Sequence, residues 1–494
     1  MSSSSEAQAA AIPADLATDP SASSGTNEHA PARNQGLLHL VWEAVRGSQV
    51  DFTKESLGRS VLLLAIPMVI EMFAESLFAV VDMFWVGKLG PAAQATVTIT
   101  ESWLVLIYAL CIGLSIGATA VVARRTGEKR PEAAARAAVQ AIWMGLAFSV
   151  VVAGLGIALA PQLLAWMDAS PAVVATGTGY TRVMLGGSVT VVLLFMLNAV
   201  FRGAGDAAIT MRTLWLANII NIVLGPFFVF GWGPFPELGV MGAAVATTIG
   251  RGCGVLFQLY NLFGGKRRLQ IRWEHVGIDR EALRTIVKIA RSGMLQLLIG
   301  MTSWMVLMKV VSGFGDQVVA GYGVAFRVVM FALLPSWGMS NAAATLVGQN
   351  LGAGRPDRAE QAVWRAAFYN LCFLAAWGLA FVLFAWPIAG IFTDDPVVQM
   401  WASRGLRIIA MGFLFYAYGM VVGQSFNGAG DTKTPTWLNF ICFWLLEIPL
   451  AWFLSHHTSL GPSGIFIAMT VCFCTLAVLS VILFKRGKWK QVRV

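Results

Sequence analysis

The chain has 494 residues, of which 57% are hydrophobic and 12% charged, and its mean hydropathy is +0.69. A soluble domain averages about half apolar and about 25% charged residues, so composition excludes an ordinary soluble protein and points to an integral membrane one. The net charge of +9 would suit nucleic acid if it formed one patch, but it is dealt out in small groups between apolar runs, which excludes a nucleic-acid partner.

Residues 1–56 are rich in Ser, Ala, Pro and Asp and hold no apolar signal-peptide core. They are expected to form a disordered cytoplasmic tail. Within it, GLLHLVWEAV (Gly36 to Val45) reads either as a short amphipathic helix on the membrane surface or as a frayed lead-in to the first span. Twelve apolar runs follow, centred near Pro67, Tyr108, Phe148, Val192, Ile220, Gly252, Ile299, Phe331, Leu374, Ala410, Trp444 and Val471. Each holds about 18 or more residues, enough to cross roughly 30 Å of hydrocarbon as a helix. None shows the alternation over about 10 residues that marks a barrel strand.

Basic residues follow the even-numbered runs: Arg124, Arg125, Lys129 and Arg130 the second, Arg202 and Arg212 the fourth, Lys266, Arg267, Arg268 and Arg272 the sixth. Arg355 and Arg358 follow the eighth, Lys433 the tenth, and Lys485, Arg486, Lys488, Lys490 and Arg493 the last. The positive-inside rule then puts both termini in the cytoplasm of a multi-pass protein of the cell membrane, the inner membrane if the cell is bacterial. All six cysteines, Cys111, Cys253, Cys372, Cys442, Cys472 and Cys474, fall inside runs and read as small packing residues.

Two hinges, FRGAGD (Phe201 to Asp206) and FNGAGDTKTP (Phe426 to Pro435), stand 225 residues apart. The same offset joins Gly90 to Gly315, Gly127 to Gly352, Arg130 to Arg355, Pro131 to Pro356 and Arg182 to Arg407, with a three-residue slip by the time LGVMG (Leu238 to Gly242) answers LGPSG (Leu460 to Gly464). The chain therefore reads as two copies of a six-span unit. An N-lobe of residues 57–270, a cytoplasmic linker of 271–285, a C-lobe of 286–485 and a basic tail of 486–494 follow from that division. Six spans is an even number, so the copies share an orientation and are related by an axis along the membrane normal, with a midplane cleft between them. Asp206 and Asp431 are expected to act as turn and cap residues.

Charge buried inside spans is functional by default. Glu71, Glu75 and Asp82 lie four and seven residues apart in the first run, close to one helix face. Three neighbouring acids cannot all ionise cheaply in a poorly solvated pocket, so at least one is a candidate proton carrier. The competing reading has Asp82 capping the helix or meeting headgroups while the glutamates pair with a cation such as Arg251. Pro67, four residues before Glu71, would let span one bend with protonation.

The stretches VVDMFWVGKLG (Val80 to Gly90), GATAVVARRTGEKRPEAA with its partner AATLVGQNLGAGRPDRAE, and FNGAGDTKTPTW resemble the multidrug and toxic compound extrusion (MATE) family of secondary transporters, from about residue 57 to the end. The resemblance implies an all-α fold of twelve transmembrane helices in two six-helix lobes, and a cation-driven antiporter of organic compounds. It puts Asp82 at the family's first-helix acid, and Asn221 and Thr247 at the Asn and Thr of a DinF-like branch. That branch's NIVLDP reads NIVLGP here, with Gly225 in place of Asp. Glu71 or Glu75 is expected to compensate. The loss of an oxygen ligand favours protons over sodium, with a sodium ion at the Asp82 site as the alternative. The acids of a NorM-like branch are missing: span seven offers Gln296, and the helix-ten position is Tyr416. Glu447, beside Pro449, is either a substitute or a kink contact.

For the substrate cleft the expected residues are Tyr416, Gln296, Trp304, Glu447 and Met339, with Trp103, Trp337 and Phe331 among the aromatics able to stack on planar cations. Expected partners are small cationic or amphiphilic organic molecules, H+ or Na+, and the lipid bilayer. The expected state is a monomer without cofactor or other metal. Of the rival classes, a pump lacks a GxxxxGK[ST] loop and a membrane-embedded hydrolase lacks HExxH and GxSxG. A flippase of a lipid-linked substrate shares the gross plan but calls for a broad cationic cavity.

Overall fold

A computed structural model describes residues 36–264 and 268–494, without the side chains of residues 37, 77–84, 87 and 91. After a short helix α1 (Leu37–Arg46), the first half contains α2 (Leu57–Gly87), α3 (Pro91–Gly127), α4 (Pro131–Ala165), α5 (Pro171–Gly186), α6 (Ser188–Ala204), α7 (Ala207–Phe230) and α8 (Val240–Phe263). The second half contains α9 (Arg280–Ser312), α10 (Asp316–Gly352), α11 (Pro356–Gly390), α12 (Pro396–Met411), α13 (Phe413–Ala429), α14 (Lys433–Asn439), a π-helix (Phe440–Glu447), α15 (Ile448–His456) and α16 (Ser463–Lys485). Five of these helices, α3, α4, α5, α11 and α12, begin with proline, whose missing N–H costs nothing at a first turn.

Eleven described segments are long and apolar enough to cross a membrane, and the pair α12–α13, bent by 61°, supplies the twelfth. Side chains that meet lipid need not be buried, and Val150, Leu256 and Leu379 are each more than half exposed.

The repeat survives in the backbone. Gly90 and Gly315 have φ of +96° and +92°, Gly205 and Gly430 of +84° and +86°, and, past the slip, Gly239 and Gly461 of +55° and +53°. Spans four and ten both break at equivalent glycines, Gly187 and Gly412. The repeated hinge ends α6 and α13 with a left-handed glycine, the conformation that lets a helix stop and turn. Asp431 then accepts from the amide and hydroxyl of Thr434. Asp206 occupies the same place before α7 but makes no capping bond, so only one of the two cap expectations is met by a hydrogen bond.

Three segments differ from the expected tail and linkers. The first 56 residues are not all tail: α1 forms, and Ala44 and Phe52 are buried at 1% and 2% exposure. The linker holds a 3-10 turn (Trp273–His275), and α9 starts inside it at Arg280. The final segment folds back through a second 3-10 turn (Lys488–Gln491), where Trp489 stacks on Phe484 with ring centroids 4.5 Å apart. Hydrophobic partners buried elsewhere in the fold hold these pieces, a contact that local composition does not reveal. The six cysteines are unpaired; Cys111, Cys442 and Cys472 are buried and Cys372 is exposed.

One apolar core lies in the first half and takes in Ile286 and Ile289 of α9, and another lies within the second half. A third cluster lies across the seam, joining α2 to α10, α11 and α13, with Phe52 and Trp489 among its members.

Candidate functional site

Four-residue spacing puts Glu71 and Glu75 on one face of α2. That face borders the seam, where a cavity of ≈ 360 Å³ is walled by residues of α2, α3, α6, α7 and α8 from one half and of α10 and α13 from the other. Glu71 is fully buried. Arg202 Nη2 donates to its Oε1 at 2.9 Å, and Thr210 Oγ1 donates to its Oε2 at 2.7 Å. A lone carboxylate in a bilayer interior is costly, whereas one with both oxygens bonded and its charge matched by a guanidinium is held in place.

Glu75 is held more loosely. Its Oε1 lies 4.0 Å from Arg251 Nη2, and its side chain is 45% exposed against 14% for Arg251. Arg251 Nη1 donates to Tyr108 Oη at 3.0 Å, which fixes the guanidinium on the cavity wall. The wall thus carries two carboxylates and two guanidiniums. These four groups sum to zero charge when both acids are ionised and to about +2 when both are protonated.

Sequence reasoning anticipated Arg251 as a glutamate partner but assigned Arg202 to a topology-setting loop. The residue instead occupies the last turn of α6, and its side chain reaches back to Glu71. Internal symmetry holds the signal that could have found it. One repeat on, Arg202 becomes Asn427, Glu71 becomes Gln296 and Thr210 becomes Pro435, so the charged cluster exists in the N-terminal copy alone. Asn427 keeps its place on the cavity wall and donates to Gln424 Oε1 at 2.8 Å.

Asn221 and Thr247 are brought together, Nδ2 to Oγ1 at 2.6 Å, in a buried contact between α7 and α8 that does not line the cavity. Asp82 belongs to α2, and its side chain lies outside the described residues.

None of the five residues expected in the substrate cleft lines the cavity. The bend at Gly412 turns Tyr416 into the core of its own half, where it stacks on Phe473 at 4.4 Å. Glu447 is buried at the end of the π-helix. Gln296 and Trp304 sit on α9, a helix packed against α3 that contributes nothing to the wall; Trp304 is 42% exposed. Met339 lies two residues from Trp337, on the other side of α10, and packs against the seam cluster. Trp337 does line the cavity, along with Leu334 and Asn341 at helical spacing.

The MatE family model matches residues 67–227 and 293–453, one match in each half and together more than half of the chain. The chain belongs to the MATE family. MATE proteins are transporters, not enzymes. Relatives match this MATE chain over most of its length. A Thermotoga maritima protein named as a probable multidrug resistance protein NorM is 25% identical over 433 residues, covering 88% of this chain and 93% of its own. An FAD transporter of Shewanella oneidensis is 26% identical over 419 residues, covering 84% and 91%. A solved structure described as the outward-facing conformation of a multidrug resistance MATE family transporter shares a TM-score of 0.83 at 26% identity, covering 90% of this chain and all of that one.

Proposed function

We propose that this MATE transporter is a secondary active exporter that exchanges inward protons for small cationic or amphiphilic organic compounds by alternating access. The observation that carries the reading is Glu71, fully buried at the seam and bonded through both oxygens to Arg202 and Thr210. Protonating Glu71 ends its attraction for Arg202, and protonating Glu75 ends its attraction for Arg251. The cavity then turns positive and repels a bound organic cation, while deprotonation restores a site in which Glu75 can turn from Arg251 to a substrate ammonium. Each inward charge contributes about 2.3 kcal/mol per 100 mV. Pro67, inside α2 one turn before Glu71, leaves one helix hydrogen bond unmade where span one would flex.

The finer parts of the reading rest on other residues. The Asn221–Thr247 bond supports the DinF-like branch. The basic loops support a cytoplasmic position for the face that bears α1 and the C-terminal segment, and in this reading the chain acts as a monomer. Sodium would need several oxygens at fixed distances, and Gly225 withholds one of them. A lipid-linked anion fits poorly, because each arginine of the wall already faces a glutamate. A flavin dinucleotide, the cargo named for the Shewanella relative, would meet guanidiniums not matched by a carboxylate only while the glutamates are protonated, which would make its transport a proton symport.

Ethidium efflux from proteoliposomes under an imposed pH or sodium gradient tests the proposal, with wild type, Glu71→Gln and Asp82→Asn compared. Efflux driven by the pH gradient and lost in Glu71→Gln is expected. Efflux that follows sodium alone, or persists at the wild-type rate in Glu71→Gln, would overturn it.

A further inference from the structure

Residues 47–56 lie across the seam on the face that carries α1 and the C-terminal segment, and basic side chains from the two halves grip them. From the first half, Arg268 donates to Val50 O and Lys129 Nζ meets Asp51 Oδ2 at 2.6 Å, while Arg212 Nη2 donates to Val45 O at the end of α1 at 2.8 Å. Arg268 also covers the Phe52 ring, 4.6 Å from its centroid. From the second half, Arg355 Nη1 donates to Thr53 O at 2.8 Å, and Arg358 Nη2 donates to Phe52 O at 3.3 Å and to Glu55 O. Phe52 itself is buried in the seam cluster, whose members come from α2 as well as from α10, α11 and α13.

The other chain end bridges the same two halves. Val492 O accepts from Arg124 Nη2 of α3 at 2.7 Å, while Lys490 Nζ meets Asp357 and Glu360 of α11 at 3.0 and 2.7 Å. Charge-assisted bonds of this kind are short and directional, and they are lost together if the halves move apart. A segment bonded to both halves of a transporter opposes any motion that separates them at that face.

We propose that residues 47–56 are a clasp that holds the two lobes closed on the face bearing α1 and the C-terminal segment, and that opening to that side requires the clasp to leave one lobe. Several of the basic residues that a topology rule counts as loop charge are thus its fastenings. The clasp is not worked by pH in the cellular range. Burial of Asp51 opposes its ionisation, but hydrogen bonds from Lys129 and Thr53 outweigh it and bring the carboxyl down to about 2. Among the described residues, Arg268 and Arg358 also act electrostatically on Asp51. A partner or bilayer event that draws on the exposed Leu38 and Trp42 of α1 would act on the clasp directly.

The test is a spin-label distance between Glu132→Cys on α4 and Gln361→Cys on α11, both exposed, in a transport-competent full-length background freed of native cysteines. One short distance is expected for the wild-type clasp. Asp51→Lys should add a longer population, and Asp51→Lys with Lys129→Asp should remove it again. Phe52→Ala should lengthen the distance without altering charge. An unchanged distance in both Asp51→Lys and Phe52→Ala, in protein that remains folded by size exclusion, would overturn the proposal. So would a longer population that the charge swap fails to reverse. The readout is independent of transported ion and cargo, so it stands or falls apart from the antiport reading.

Discussion

Gly127 and Gly352, one repeat apart, close the seam against each other's helices: a Cβ at Gly127 would lie 2.0 Å from Gln349 O, and one at Gly352 would lie 2.2 Å from Arg124 O. Real Cβ atoms never come so close to a carbonyl, so α3 and α10 meet backbone to backbone at their ends. Gln349 Nε2 donates to Gly203 O at 2.9 Å beside this crossing. The cavity with Glu71 therefore lies above a seal made by symmetry-related glycines.

Gly127→Leu and Gly352→Leu should each prevent that closure. Overpacking typically costs about 1–3 kcal/mol, and here it falls on one conformational state rather than on the fold as a whole. Folded protein with strongly reduced efflux and a lengthened Glu132–Gln361 label distance is the expected result. Normal efflux in both variants would show that the seal is not needed for the cycle.

Glu71→Gln leaves Arg202 in the cavity wall without its counter-charge. Breaking a buried pair from one side costs about 3–5 kcal/mol, so a lower Tm in detergent is expected together with loss of pH-driven efflux. Glu71→Gln with Arg202→Met should recover much of the Tm but not the efflux. Double-mutant thermal unfolding measures the coupling, and an additive result would mean that the 2.9 Å bond contributes little.

Gly225→Asp tests whether the Asn221–Thr247 contact is an incomplete cation site. Among the described residues, a Cβ at Gly225 meets nothing nearer than Trp85 Cδ1 at 3.7 Å, so the side chain fits without displacing backbone. Sodium chloride should then raise the Tm of the variant above its value in potassium chloride, with no such difference in wild type. Equal Tm values in the two salts would rule out a site there.

The docked clasp should be insensitive to pH from 8 down to about 5. The carboxyl of Asp51 is held at about 2, below its ordinary 3.8, so its contribution is complete above the ordinary value and disappears as pH falls through the folded one. Hydrogen exchange of residues 47–56 should stay slow, after correction for intrinsic rates, until pH drops below about 4. Loss of protection between pH 7 and 5 would place another titrating group in control.

Twelve spans, their common division into two copies and the acidic stripe on α2 were legible in the chain because each depends on local properties. Apolar length alone decides whether a helix can cross hydrocarbon, a fixed offset shows up in a single sequence, and helical spacing puts Glu71 and Glu75 on one face. The partner of Glu71 was not legible: Arg202 lies 131 residues away, in a stretch whose charge looked like loop charge. Only the packing of α7 against α2, with the reach of the Arg202 side chain from the end of α6, brings Arg202 and Thr210 to one carboxylate. The places of Tyr416, Gln296, Trp304, Glu447 and Met339 away from the cavity were illegible for the same reason, since residue type says nothing about which helix face meets the seam. Residues 47–56 look like a polar tail because most of their bonds are to backbone carbonyls, which every sequence possesses. The sequence by itself determined what must be buried in lipid and what must repeat; which charges meet, and where the lobes are held shut, were decided by tertiary packing, because those contacts join residues that no local rule connects.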